Sequence, residues 1–208
     1  MKLALLALAL ICLSQAANLI RWAHAPIEVI GFWRLLAAAL LMTPAAWSAR
    51  ASRAALSRRD RQLTGLAGFL FFAHLWTFVY AAQHTTVANA MVAFSTHPLW
   101  TGAGAWLLFG EAVTARLGAA YVLAGLGIWT LFAGSVSVAS TGLSGDLAAL
   151  ISAVLFSGYV LTGRRLRRGL DNSVFAAIVY WIVAVCFLAD GTARGVAWTG
   201  YPPTTWVA

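Results

Sequence analysis

The stretch from residue 27 to residue 47, IEVIGFWRLLAAALLMTPAAW, holds two charged side chains, Glu28 at its start and Arg34 within it. A helix needs roughly 20 predominantly apolar residues to cross the hydrocarbon of a bilayer. This run meets that length, and Pro26 just before it is a favourable helix opener. Directly after it come Arg50, Arg53, Arg58, Arg59, Asp60 and Arg61, the densest charge block in the chain. An apolar rod followed by a basic connector is the signature of a multi-pass membrane protein.

The same alternation extends outward in both directions. Apolar runs occupy about 3–20, 27–47, 63–82, 87–109, 117–136, 147–163 and 174–188. The expected fold is therefore all-α, with seven transmembrane helices present. Composition agrees: 208 residues, 62% hydrophobic and 10% charged, with a mean hydropathy of +0.82. Soluble domains carry roughly a quarter charged residues, which excludes a soluble enzyme, a disordered tail and a secreted disulfide module. The first run also fits a signal peptide, with Ser14-Gln15-Ala16 as a small-x-small site. Its apolar character continues through Ala17, Leu19 and Ile20, which favours a retained helix.

The net charge of +8 comes from basic residues between the apolar runs. With the amino terminus inside, the inside segments hold Lys2, five arginines from Arg50 to Arg61, Arg116, and Arg164, Arg165, Arg167 and Arg168. The outside segments hold Arg21 and Arg194. This positive-inside bias gives the expected orientation, a multi-pass protein of the plasma (inner) membrane with a cytoplasmic amino terminus. It reads as topology, so no nucleic-acid partner is expected. Cys12 and Cys186 lie in apolar runs with no metal or disulfide spacing. No cofactor, no metal and no catalytic residue is expected, because the runs hold no nucleophile–base pair and no phosphate-cradling loop.

Function must then reside in polar groups at membrane depth, which usually face a cavity or a neighbouring helix. Arg34 is the strongest. At 1.5 Å per residue from Pro26 it sits roughly 12 Å below the outer end, and no carboxylate lies at comparable depth. An arginine so placed offers charge to an anionic or carboxylate-bearing substrate; the competing reading is an arginine that snorkels or caps carbonyls. His74, Thr77 and Tyr80 share one face of the third helix, with His84 at its outer end. Asn89, Thr96 and Trp100 share one face of the fourth. Pro98 cannot donate to the carbonyl of Phe94, so a kink or a free acceptor is expected there. His97 sits beside it. These stripes are expected to line a substrate path, with helix-to-helix hydrogen bonding as the alternative for any one residue. Should transport be proton-coupled, His74 and His97 are the titratable candidates near mid-span. Gly118, Ala120, Ala124, Gly125 and Gly127 permit close helix approach, within the bundle or in a homodimer. Trp22, Trp47 and Trp198 are expected as interface anchors.

These residues also carry a resemblance. Ile27 to Ala38, with its Phe-Trp-Arg-Leu-Leu-Ala core at Phe32 to Ala37, resembles the second helix of EamA-type members of the drug/metabolite transporter superfamily. His74-Leu75-Trp76, Thr85 to Ala90 and His97-Pro98-Leu99-Trp100 resemble its third and fourth helices. Leu107 to Thr114 resembles its Gly-Glu junction, here Gly110 and Glu111. The resemblance implies ten helices in two inverted five-helix repeats. On that plan 1–136 is the first repeat, 137–145 a periplasmic linker and 146–208 a partial second repeat, so the chain is expected to be a fragment or a truncated product. It implies a secondary transporter of small metabolites, amino acids or related compounds and drugs, working by alternating access in the efflux direction. A non-transporting assembly subunit is the alternative. The implied cavity uses Arg34, the third- and fourth-helix residues, and Tyr159 and Trp181 from the second repeat. Glu111 is implied to fix the cytoplasmic junction.

Overall fold

The computed structural model describes residues 14–49, 57–112, 114–137, 142–167 and 169–207. The start of the first apolar run before residue 14, Arg50, Arg53, Arg168 and residues 138–141 of the linker lie outside the described residues. Within them the apolar runs form helices and no strand occurs. The helices are α1 (14–22), α2 (Ile27–Ser48), α3 (Arg58–His84), α4 (Val87–Phe94), α5 (His97–Phe109), α6 (Ala115–Ser137), α7 (Leu143–Leu166), α8 (Asn172–Ala193) and α9 (Pro203–Val207). Among the described residues, α2, α3, α7 and α8 are each long and apolar enough to cross a membrane.

Local chemistry accounts for the ends. Ser57 and Asp60 form a reciprocal capping box at the start of α3, which pulls the helix back into the arginine block. Thr114 Oγ1 accepts from the amide of Leu117 and caps α6. Asp171 accepts from the amide of Ser173 at 2.8 Å and caps α8. Gly110 ends α5 at φ 67°, a left-handed conformation glycine adopts without strain.

One expected helix is two. The run 87–109 breaks at Ser95–Thr96 into α4 and α5. Pro98 sits in the first turn of α5 and supplies no amide to Phe94. The chain turns there, and His97 Nδ1 approaches the Phe94 carbonyl at 3.3 Å.

The most extensive packing joins α3 to α7 and α2 to α8; α8 also touches α3, and α4 and α5 lean on α7. Lipid is as apolar as leucine, so burial of apolar surface gives little drive for helices to associate inside a bilayer. Small residues and hydrogen bonds must do it. Ala67, Ala81 and Ala82 on α3 and Ala149 and Ala153 on α7 are fully buried. Between α2 and α8, a Cβ on Gly31 would lie 2.5 Å from the ring of buried Phe187. Helix α6 is peripheral, tied to α5 by the Tyr121 hydroxyl donating to the Leu99 carbonyl at 2.9 Å.

Trp22 and Trp47 are exposed, as anchors should be. Trp198 is a correction. The segment after α8 folds back, so its ring packs on Phe32 at 5.0 Å and its carbonyl accepts from Trp33 Nε1.

Candidate functional site

Arg34 lies on α2 with its side chain open to a groove between α1, α2 and α9. The groove encloses about 360 Å³, and its walls include Leu19, Ile20, Ile30, Trp33 and Trp206. Trp33 and Trp206 meet edge to face at 5.7 Å, and Thr205 Oγ1 donates to the Ala23 carbonyl at 2.6 Å, so α9 closes one side. Among the described residues no carboxylate pairs with Arg34. Tyr180 and His74 lie within its electrostatic range.

The other sequence-derived residues do not line that groove. His74 is buried between α3 and α7, its Nδ1 2.8 Å from Ser152 Oγ and 3.1 Å from the Ser152 carbonyl. A carbonyl only accepts, so Nδ1 carries the proton in the neutral ring. Ser152 Oγ in turn donates to the His74 carbonyl at 3.2 Å. The ring stacks on Phe71 and Phe94. Phe94 stacks on His97, and Phe71 stacks on Tyr159 at 4.6 Å. His74, His97 and Tyr159 thus belong to one aromatic interior shared by α3, α4, α5 and α7. Substituting Ser152 with alanine removes one hydroxyl link but leaves the backbone acceptor. It should cost about 0.5–1.5 kcal/mol, read as a lower thermal midpoint in detergent.

The rest are dispersed. Thr77 bonds its own helix at the Ala73 carbonyl and borders a shallow α3–α8 groove. Tyr80 stacks on His84 at 3.8 Å. Thr96 donates to the Ala93 carbonyl and accepts from Trp100 Nε1, and Trp100 borders an apolar groove between α5 and α6. Trp181 Nε1 donates to Thr43 Oγ1 at 3.1 Å and fastens α8 to α2. Glu111 pairs with Arg164 at 2.5 Å, joining the end of α5 to the end of α7.

Asn89 belongs to an arrangement that sequence reasoning missed. Asp146, in the first turn of α7, is fully buried against the α3–α4 turn. It accepts from Thr85 Oγ1 at 2.6 Å and from Asn89 Nδ2 at 3.4 Å, while Arg21 donates to the Thr85 carbonyl. The C-terminal end of α8 carries a second cluster, in which Arg194 meets Asp190 at 2.8 Å and buried Glu28 at 3.4 Å. The recurrence of Gly145, Ala149, Ser152, Ala153 and Ser157 along α7 is the signal that marks its buried face.

The sequence profile described as the EamA-like transporter family matches residues 1–133. The chain belongs to the EamA-like transporter family. No curated protein and no solved structure gives a significant match. With its apolar helices, membership makes this a multi-pass membrane protein and a transporter of the drug/metabolite transporter superfamily. Within the match lie Arg34, the α3 face, the broken α4–α5 wall and the Gly110-Glu111 junction.

Proposed function

We propose that this EamA-family chain moves small carboxylate-bearing metabolites, amino acids or related compounds, across the plasma membrane by alternating access, in the efflux direction. Its amino terminus is cytoplasmic in this reading. Residues 1–136 and 146–208 belong to two inverted repeats joined through 137–145 in the same reading. The observation that carries the substrate class is Arg34: a guanidinium inside a membrane-spanning helix, facing a groove and with no carboxylate partner among the described residues. A cation left so in hydrocarbon is costly, and a substrate anion would complete it with charge-assisted hydrogen bonds. Trp33 and Trp206 supply flat apolar walls for the rest of a small molecule. The open groove supports transport over a purely structural subunit.

The test is uptake of labelled amino acids by vesicles reconstituted with the purified protein, with and without a pH gradient. Arg34→Ala should lower the rate about ten- to a hundredfold, as expected for losing a hydrogen bond to a charged group worth about 1.5–3 kcal/mol. Arg34→Lys should recover part of it. A folded Arg34→Ala protein that transports at the wild-type rate would overturn the reading.

A further inference from the structure

Helices α3 and α7 run antiparallel in a register read from their contacts. A Cβ on Gly145 would touch Thr85, His74 bonds Ser152, Leu70 is the neighbour of Gly158, and Phe71 stacks on Tyr159. Continued toward the other end, the same register brings Arg61 level with Arg167. The first turn of α3 thus sets Arg58, Arg59 and Arg61 beside Arg165 and Arg167 at the end of α7. All five are exposed.

Neighbouring acids offset this end only in part: Asp60 and Asp171 keep their negative charges, two against the five arginines. Asp60 Oδ2 is held by the amide and hydroxyl of Ser57 at 3.2 and 2.7 Å. Asp171 is held by Ser173, and those bonds keep its carboxyl below the usual carboxylate range. Glu111 is paired with Arg164. Among the described residues, none of the five arginines has an ion-pair partner. Arginines in the first turn of α3 also oppose its macrodipole. A topology signal alone requires basic residues somewhere in this connector. It does not require two groups of them brought level on the most extensively packed helix pair, against the dipole of one.

We propose that this five-arginine end is a docking surface for the headgroups of anionic phospholipids. Their phosphates lie at the level of the helix ends, and guanidinium and phosphate geometries match bidentately. The bound lipid offsets the repulsion between the two arginine groups and clamps α3 to α7. The proposal rests on membrane insertion alone and is independent of the transport reading.

The test compares wild-type protein with the triple variant Arg59→Gln, Arg61→Gln, Arg167→Gln. Both are reconstituted in phosphatidylcholine alone or in phosphatidylcholine with phosphatidylglycerol. Arg116→Gln, at the start of the neighbouring helix α6, is the control. In the mixed bilayer the wild type should melt higher than the triple variant by roughly 2–4 °C. In phosphatidylcholine alone the order should reverse, because the repulsion that the variant loses outweighs the one bond it gives up, from Arg167 Nε to the Gly163 carbonyl at 3.3 Å. Phosphatidylglycerol retained in native mass spectrometry should fall about tenfold in the triple variant and stay at the wild-type level in Arg116→Gln. A stability order that ignores lipid charge would overturn the proposal, as would an equal loss of lipid in Arg116→Gln. Inorganic phosphate reproducing the effect in phosphatidylcholine alone would overturn it too, since the ligand would then be a soluble anion.

Discussion

Gly145→Val should produce the largest loss of stability of any single methyl-scale change in this chain, about 3 kcal/mol or more. A Cβ at this position would stand 2.8 Å from the carbonyl carbon of His84 and equally close to the amide nitrogen and Cβ of Thr85. Those are mainly backbone atoms, and no rotamer change clears them. The helices would have to part where the end of α3 meets the start of α7, and with them the bond of His74 to Ser152. Gly145→Ala should fall between valine and wild type. Gly118 on α6 supplies the contrast, since a Cβ there meets nothing within 4 Å. Gly118→Ala should be neutral or stabilising by up to about 1 kcal/mol through helix propensity. Thermal unfolding in detergent reads both. A Gly145→Val midpoint equal to wild type would mean that the helices do not approach as closely as described.

Asp146→Ala is the second large effect, roughly 2–5 kcal/mol. Removing the carboxylate strands the buried Thr85 hydroxyl and takes one acceptor from Asn89, and a buried donor left unpaired costs about 1–3 kcal/mol. It also removes a negative charge from the first turn of α7, where the helix dipole favours one. Asp146→Asn keeps one acceptor but turns an NH2 toward groups that themselves donate, so it should recover only part of the loss. Thr85→Val combined with Asp146→Ala should cost less than the two changes added, because Thr85→Val deletes the donor that Asp146→Ala strands. Strict additivity in the thermal midpoints would show that the pair is not coupled.

The helices were legible because hydrocarbon imposes one length and one composition on whatever crosses it. The runs 27–47 and 147–163 became α2 and α7 with ends extended by a few residues. Those extensions are capping and connector effects that hydropathy does not see; the Ser57–Asp60 box is one. Pro98 announced a disturbance in the fourth run, and the outcome was a full break. The site was less legible. A helical face can be read from spacing, but not the object opposite it. His74, Thr77 and Tyr80 share a face in sequence, yet one meets Ser152, one its own backbone and one His84. Asp146 looked like an end-of-helix acid because its burial comes from the α3–α4 turn, far away in sequence. Arg34 stood out from the start, since a charge in the middle of an apolar run is conspicuous without any knowledge of its neighbours.

The interruption between α4 and α5 has a consequence for where such a helix can live. Water heals a severed helix in a soluble protein; oil cannot. Here three successive side chains serve as the missing solvent: Ser95 Oγ donates to the Met91 carbonyl, Thr96 Oγ1 to that of Ala93, and the His97 imidazole faces that of Phe94. Each covers an oxygen in the turn before it. Ser157 Oγ of α7 adds a bond to the His97 carbonyl at 2.7 Å, so the corner is completed by the helix it leans on and can sit at membrane depth inside the bundle.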